Sequence, residues 1–406
     1  EDIMNIIEFE KPDGVLVQFG GQTPLKIAEQ LTNEGVKIFG TSSASIDLAE
    51  NREAFASIIK KLKIQIPEYC IAKNYEEIIN FSEIAQFPVL VRPSYVLGGR
   101  AMQIVYNKEQ LVDYVFRSAE ATNDHPILID QFIENAFEFD VDALSDGEEV
   151  FVAGIMQHIE EAGVHSGDSS CVLPPYDMSS KVKKDIIDMT TKLALELNVV
   201  GLINLQFAVK DNEVYVLEVN PRSSRTVPFV SKYSNVPLAN IAAQLSVGRK
   251  ISDFNLNEDR FKHTAVKKAV LPFKKFKDEK VFLGPEMKST GEVMGIDTEP
   301  GIAFLKAMQS DGYTVPRSGT AFVSITDIDK KRALPIIKDL QKLNFTIIAT
   351  KGTAEFLLEN NINCSPVFKV GEGRPNVVDE ILNDNIHLVI NTPQGAQSRY
   401  DEEAIG

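Results

Sequence analysis

The sequence predicts a multi-domain α/β protein. Helix-like and strand-like patterns alternate from the first residues onward. A second alternation of the same kind closes the chain, after a Gly-, Ser- and Pro-bearing stretch at 308–319. The length of 406 residues corresponds to two or three domains at the usual ~150 residues each.

The elements follow in order. Residues 2–10 read as a short helix. Gly14-Val-Leu-Val-Gln-Phe-Gly-Gly21 is an apolar strand running into a glycine turn. A helix at 23–32 and a strand at 36–39 continue the alternation. Ser45 is expected to cap a helix over 46–62, and Gln65-Ile-Pro-Glu68 breaks that pattern. The block 66–145 mixes strands and helices, with apolar runs at 88–92 and 127–133. A long amphipathic helix is expected near 179–197, then two adjacent strands at 203–209 and 214–219. Residues 250–300 are polar and give no clear element. Beyond 319 the pattern reads strand 320–325, helix 329–342, strand 345–349, helix 353–360 and strand 387–391. The chain opens on a helix where the alternation calls for a strand, and it stops just after a strand, so both ends read as cut.

Composition excludes several classes of function. The net charge is −16, from 42 basic and 58 acidic residues, which disfavours nucleic acid and anionic membrane surfaces as partners. No apolar run reaches the ~18 residues of a spanning helix, and no signal-peptide pattern opens the chain. Cys70, Cys171 and Cys364 are scattered and odd in number. That fits a reducing cytoplasm and no disulfide framework. None lies near a His in the sequence, so no Cys–His pair suited to amide hydrolysis is visible.

The most informative stretch is 203–222. Strand side chains alternate faces. Asn204 and Gln206 therefore share one face, as do Glu218 and Asn220, while Leu205, Phe207, Leu217 and Val219 take the other. A three-residue loop at Asp211-Asn212-Glu213 pairs 206 with 218 and 204 with 220. Four oxygen-bearing side chains then form one patch, which suits a hard cation with phosphate oxygens. Arg222 and Arg225 follow at once and offer charge to phosphate. The alternative is the solvated polar face of an ordinary hairpin.

Two further segments carry chemistry. Val91-Arg-Pro-Ser-Tyr-Val-Leu-Gly-Gly-Arg100 follows an apolar strand. Gly98 and Gly99 permit a backbone that lays its N–H groups over phosphates, with Arg92 and Arg100 beside it. An ordinary Gly-Gly turn is the alternative. Gly163-Val-His-Ser-Gly-Asp-Ser169 is polar and contains His165, a base, a ligand or simply a hydrogen-bonded loop residue. No second His or Cys is close in sequence, so a zinc site is not expected. His125, His158, His263 and His387 read as structural.

Together these motifs resemble ATP-grasp enzymes. With Gln18-Phe-Gly-Gly-Gln-Thr-Pro24 and Leu283-Gly-Pro-Glu-Met-Lys-Ser-Thr-Gly-Glu-Val-Met-Gly295, essentially the whole chain resembles the C-terminal half of the carbamoyl-phosphate synthetase large subunit. The resemblance implies a partial pre-ATP-grasp domain at 1–47 and an ATP-grasp domain at 48–307. The linker at 308–319 then leads to a truncated, Rossmann-like methylglyoxal-synthase-like allosteric domain at 320–406.

The resemblance also implies roles. Arg52 and Arg92 contact nucleotide phosphates, Gln131 and Ile133 meet adenine, and Glu138 holds the ribose. Gly163, Val164, His165 and Ser166 form the nucleotide loop. Gln206, Glu218 and Asn220 are metal ligands for Mg²⁺ or Mn²⁺, with K⁺ a further candidate. Arg222 and Arg225 contact the transferring phosphate. The implied step is ATP + carbamate → ADP + carbamoyl phosphate, within arginine and pyrimidine synthesis. The implied partners are the N-terminal half of the large subunit and a glutaminase small subunit. Lys330, Thr350, Thr353, Lys369, Asn391 and Thr392 match a nucleotide-effector site for UMP or IMP, although Pro393 replaces a threonine there. Glu160 and Asp168 keep two acidic ornithine positions, but Lys268 stands where a glutamate is expected. The competing readings are another ATP-grasp ligase, such as a biotin carboxylase, and a nucleotide-binding regulatory module without catalysis.

Overall fold

A computed structural model describes residues 1–72, 75–93, 102–122, 126–256, 262–273 and 283–392, together with Ile405. Gly98, Gly99, Arg100, His125 and Pro393 lie outside the described residues. The chain divides into two units. The first is Glu1–Leu271 with Leu283–Asp311, and the second is Pro272–Phe282 with Gly312–Gly406. The helix Pro300–Ser310 runs into the segment read as linker. It ends at Asp311, before Gly312 at φ 79°.

The first unit is built on a seven-stranded sheet. Its strand order is Glu213–Asn220, Val200–Lys210, Phe137–Asp146, Val150–His158, Cys171–Leu173, Thr264–Val270 and Gly291–Asp297. Every described pairing in it is antiparallel. The last two strands lie in the stretch that gave no element from sequence. The long helix is Ser180–Glu196, started by Ser179, whose hydroxyl accepts from the Val182 N–H at 3.3 Å. It buries Val182, Ile186, Leu193 and Ala194 against Val141, Ile203, Leu205 and Phe207 of the sheet. Each Val, Ile, Leu or Phe among them contributes about 1.5–3 kcal/mol. The opposite face carries Leu144 and Leu202, under Val230, Leu238, Ile241 and Leu245. A smaller antiparallel sheet of Tyr69–Ala72, Ile127–Gln131, Val89–Pro93 and Gln103–Val105 has its own core around Ile78, Val91, Leu111 and Ile129.

Several sequence expectations are corrected. The helix expected over 46–62 is two helices, Ser43–Glu50 and Arg52–Leu62. Asn51 stays extended at ψ 112°, and its Oδ1 accepts from the N–H groups of Glu53 and Ala54, each at 3.1 Å. An Asn that bonds to the following backbone stops one helix and starts the next. The first of these helices is capped by Ser42 rather than Ser45. The helix expected at 23–32 is likewise split, into Gln22–Lys26 and Ala28–Asn33, and the early strands shorten to Val15–Leu16 and Ile38–Phe39.

The hairpin differs in one detail that matters. Its loop has two residues, with Asp211 at φ 53° and Asn212 at φ 64°, and Lys210 pairs with Glu213. Positive φ at both central residues suits the strand twist. Left regular, that loop sets Gln206 opposite Leu217. A bulge at Leu217 shifts the register, so Phe207 pairs with Val216 while Gln206 pairs with Glu218 and Asn204 with Asn220. The bulge puts Leu217 on the same face as Glu218, not with Leu205 and Phe207 as alternation implied. Leu217 packs with Ala208 and Tyr215.

The second unit holds a parallel sheet ordered Ser365–Val367, Phe345–Thr350, Gly319–Ile325 and Leu388–Thr392. Helices Lys330–Lys342 and Lys351–Glu359 join its strands. Strand Ser365–Val367 and helix Val377–Leu382 were not read from sequence.

Gly295 shows how closely elements approach. A Cβ there meets Ala303 O at 2.0 Å and Ala307 N at 2.5 Å, both backbone atoms of helix Pro300–Ser310. Gly295→Ala is expected to cost the first unit about 3 kcal/mol, because helix and sheet must separate. Urea unfolding checks this, and a loss under about 0.5 kcal/mol refutes the close approach.

Candidate functional site: a nucleotide cleft

A cleft of about 410 Å³ lies in the first unit. Its wall contains Arg52, Arg92, Gln131, Ile133, Glu138, Gly163, Val164, His165, Ser166, Gln206, Glu218 and Arg222, all expected from sequence. A smaller pocket of about 130 Å³ shares His165, Ser166, Gln206, Glu218 and Arg222 with it, and adds Asn220 and Arg225.

The break at Asn51 makes Arg52 the first residue of its helix. Arg52 pairs with Asp130 and stacks on Tyr69 at 5.3 Å, while Arg92 reaches the other Asp130 oxygen at 3.4 Å. Leu90, Met102, Ala208 and Leu217 add apolar side chains to the cleft wall. The bulge is what brings Leu217 there.

Amide orientation is fixed by hydrogen bonds. Gln206 Nε2 donates to Ser166 Oγ at 2.8 Å, which leaves its Oε1 as acceptor beside Glu218. Asn204 Nδ2 donates to Asp142 Oδ1 at 3.0 Å. Asn220 Oδ1 accepts from Arg222 Nη2 at 3.2 Å. One carboxylate and two amide oxygens, from Glu218, Gln206 and Asn220, form a donor set suited to Mg²⁺. Arg225 Nη1 donates to Ser289 Oγ at 3.0 Å, and its Nε lies 3.7 Å from Glu292.

His165 is a loop acceptor rather than a cation. Burial lowers its pKa, outweighing the nearby carboxylates. Its Nδ1 accepts from the Gly167 N–H at 3.0 Å, so the neutral ring carries its proton on Nε2.

The strand Phe137–Asp146 adds to the expected Glu138 two carboxylates that sequence reading missed, Asp140 and Asp142. Glu138, Asp140 and Asp142 alternate along it, and that spacing was the available signal. His158, read as structural, bridges two of them: Nδ1 lies 3.3 Å from Glu138 Oε2 and Nε2 lies 3.0 Å from Asp140 Oδ2. Cys171, expected to have no nearby His, pairs across strands with His158. Both are buried, which leaves no access for amide hydrolysis. Burial opposes charge on His158, yet the sulfur and the two carboxylates together hold its pKa well above 6.5. Asp142 is buried, and desolvation pushes it up to about 6 against hydrogen bonds from Thr226, Ser224 and Asn204. Buried Lys267 donates to Ser166 O at 3.1 Å and lies 3.7 Å from Glu292.

The second unit has a pocket of about 260 Å³, whose wall includes Lys330, Thr350, Thr353, Lys369, Asn391 and Thr392. Helix Lys351–Glu359 starts there. The Thr353 hydroxyl is spent inside the fold, accepting from Ile325 N at 3.1 Å. Lys330 Nζ donates to Gly352 O at 2.9 Å.

Comparison with known proteins identifies the family. The family model "Carbamoyl-phosphate synthase L chain, ATP binding domain" matches residues 51–254. "Carbamoyl phosphate synthase preATP-grasp domain" matches 1–48, and "MGS-like domain" matches 332–405. A carbamoyl phosphate synthase large chain from Archaeoglobus fulgidus is 54% identical over 403 residues, covering 99% of this chain. The chain belongs to the carbamoyl phosphate synthase large-chain family. It spans 38% of that Archaeoglobus relative. It spans 78% of the large chain's C-terminal section from Aquifex aeolicus, at 50% identity over 99% of this chain.

Solved structures extend the likeness of fold alone. The biotin carboxylase domain of Hydrogenobacter thermophilus 2-oxoglutarate carboxylase, in complex with MgADP and bicarbonate, has a TM-score of 0.57 at 17% identity. That match covers 68% of this chain and 62% of the other. An L-amino acid ligase from Bacillus licheniformis has a TM-score of 0.57 at 16% identity, covering 76% and 81%. The large-chain family fold is thus an ATP-grasp, biotin-carboxylase-like sheet with an MGS-like α/β unit.

The buried imidazolium gives a pH-dependent expectation. A raised pKa means that protonated His158 stabilises fully below pH 6.5, with the contribution lost as pH rises through the folded-state value. His158→Gln is expected to cost about 3 kcal/mol near pH 6, since two carboxylates lose their buried cation. The gap between variant and parent should shrink at alkaline pH, once the folded-state value is passed. Urea unfolding under both conditions measures it, and a pH-independent gap contradicts a charged His158.

Proposed function

We propose that this chain phosphorylates carbamate: ATP + carbamate → ADP + carbamoyl phosphate. One observation carries the reading. In a chain of this family, Glu218, Gln206 and Asn220 share one patch with Arg222 and Arg225, in a cleft whose wall also carries apolar side chains. Adenine would lie against Leu90, Met102, Ala208 and Leu217, with Gln131 and Ile133 at its edge and Glu138 on the ribose hydroxyls. Arg52 and Arg92 line the same cleft as candidate phosphate contacts. Glu218, Gln206 and Asn220 would hold Mg²⁺, or Mn²⁺ in its place, which supplies charge neutralisation to the phosphates; K⁺ is a further candidate ion. A carbamate oxygen attacks the γ-phosphorus, the bond to the β-bridging oxygen breaks, and ADP leaves. Arg222 and Arg225 stabilise the charge spread over the transferring group. The chain contributes position and charge rather than a covalent nucleophile.

We infer that an N-terminal half of the large chain supplies carbamate and that a separate glutaminase subunit supplies ammonia. The three free cysteines suit a reducing cytoplasm. Among the described residues no helix is long and apolar enough to cross a membrane. The second-unit pocket would take the phosphate of a nucleotide effector such as UMP or IMP at Lys330, Lys369 and the helix start at Thr350. Ornithine is disfavoured. Lys268 occupies the expected glutamate position and is held by Asp311 at 2.6 Å. Asp168 is spent on the N–H groups of Lys288 and Ser289, each at 2.8 Å.

The reaction is tested in reverse, which needs neither partner: ADP, Mg²⁺ and carbamoyl phosphate should yield ATP. Glu218→Gln is expected to slow this about a thousandfold, from several kcal/mol of lost charge stabilisation, with the fold intact. No ATP from the parent chain rejects the reaction, and a variant within a few-fold of the parent rejects the site. Calorimetric titration should give heat with UMP or IMP and none with ornithine. Tight ornithine binding without nucleotide heat reverses that order.

A further inference from the structure

The segment Gln18–Gln22 is a motif that the proposed chemistry leaves unused, and it grips the turn that carries Arg222. Gln18 is fully buried. Its Nε2 donates to Pro221 O at 2.9 Å, and its backbone oxygen accepts from both Ser223 N and Ser223 Oγ at 3.0 Å. Gly21, at φ 72°, then turns the chain into the helix Gln22–Lys26. That turn sets Gln22 in the cleft wall, where its Oε1 accepts from Arg222 Nε at 3.0 Å.

Arg222 has an unusual set of partners. Of the five N–H donors of a guanidinium, one goes to Gln22 Oε1, one to Ser223 O at 2.9 Å and one to Asn220 Oδ1 at 3.2 Å. Every acceptor is uncharged. Arg52 and Arg92 share Asp130, and Arg225 lies beside Glu292. Among the described residues Arg222 has no carboxylate within 4 Å, so its orientation is fixed without a direct ion pair, although Glu218 and Glu292 line the same pocket.

We propose that Gln22 is a positioning residue for phosphoryl transfer. It holds Arg222 in place through a neutral acceptor and leaves two N–H donors, and a charge without a direct ion pair, for the transferring group. This rests on the proposed reaction. It adds that residues 18–22, outside the nucleotide-binding strands, set the geometry of the transferring-phosphate contact. A carboxylate at position 22 would spend the charge of Arg222, and it would also face Glu50, which accepts from Gln22 Nε2 at 3.2 Å.

The test uses the intact chain with Gln22→Leu and Gln22→Glu. Calorimetry measures Mg·ADP alone and Mg·ADP with aluminium fluoride, which stands in for the transferring phosphoryl group. Both variants should bind Mg·ADP within about twofold of the parent and bind the fluoride complex at least about tenfold more weakly. ATP formation from carbamoyl phosphate should fall by a similar factor in kcat, with the KM for ADP unchanged. Equal weakening of both complexes shows a merely structural role and overturns the proposal, as does a change under about twofold in either variant's fluoride affinity. If the parent forms no ATP, the proposed reaction fails, and the fluoride comparison still decides the role of Gln22.

Discussion

One extra residue in a strand sets the chemistry of the first unit. The two-residue turn at Asp211–Asn212 dictates a register in which Glu218 would share the buried face of Leu205. A one-residue slip moves a whole set of side chains between faces. The bulge at Leu217 absorbs that slip. Val214 and Val216 therefore stay in the core near the turn, Val219 returns to it beyond the bulge, and both Leu217 and Glu218 face the cleft. The even-numbered face of Val200–Lys210 then reads Leu202, Asn204, Gln206, Ala208: core, small pocket, cation patch, apolar wall.

The neighbouring strand stabilises this arrangement from behind. Buried carboxylates cost free energy unless paired. Asp142 is satisfied by Asn204, Ser224 and Thr226, and so ties the patch to the turn that bears Arg225. Asp140 Oδ2 and Glu138 Oε2 face one imidazolium, and Glu138 Oε1 accepts from the Gly163 N–H at 3.2 Å. A carboxylate of the cleft and one of the small pocket therefore share a single cation.

How much of this was legible depended on whether partners lie close in sequence. The pairing of Gln206 with Glu218 was readable because both strands and their turn fall within one short stretch, and strand alternation does the rest. The loop length was misjudged by one residue, and the unforeseen bulge offset that error, so the pairs came out right while Leu217 came out on the wrong face. The split at Asn51 was missed because two amphipathic helices in series carry the same periodicity as one. His158 and Cys171 looked inert because their meaning comes from cross-strand neighbours. Strands 264–270 and 291–297 hid in a polar stretch. There Lys267 and Lys268 are held by distant acids, Glu292 and Asp311, and Gly295 is dictated by a helix packed on its backbone. In the second unit strand–helix alternation is strong and local, and the expected elements recur with shifts of a residue or two.

The charge balance explains how an acidic chain can hold a polyanion. At a net −16 the global field repels phosphate, so attraction must come from a few cations acting at short range in a low-dielectric cleft. Most of these cations are already paired: Arg52 and Arg92 with Asp130, Arg225 and Lys267 with Glu292, His158 with two carboxylates. Such pairs keep the cations in place before a ligand arrives and lower the cost of burying them, but each acid also cancels part of the field that the ligand feels. Cations that only bind can tolerate that loss. One that must stabilise charge appearing during transfer cannot, because only interactions stronger in the transition state accelerate the step. Holding Arg222 with amide and backbone oxygens instead of a carboxylate gives it a fixed position without a direct ion pair.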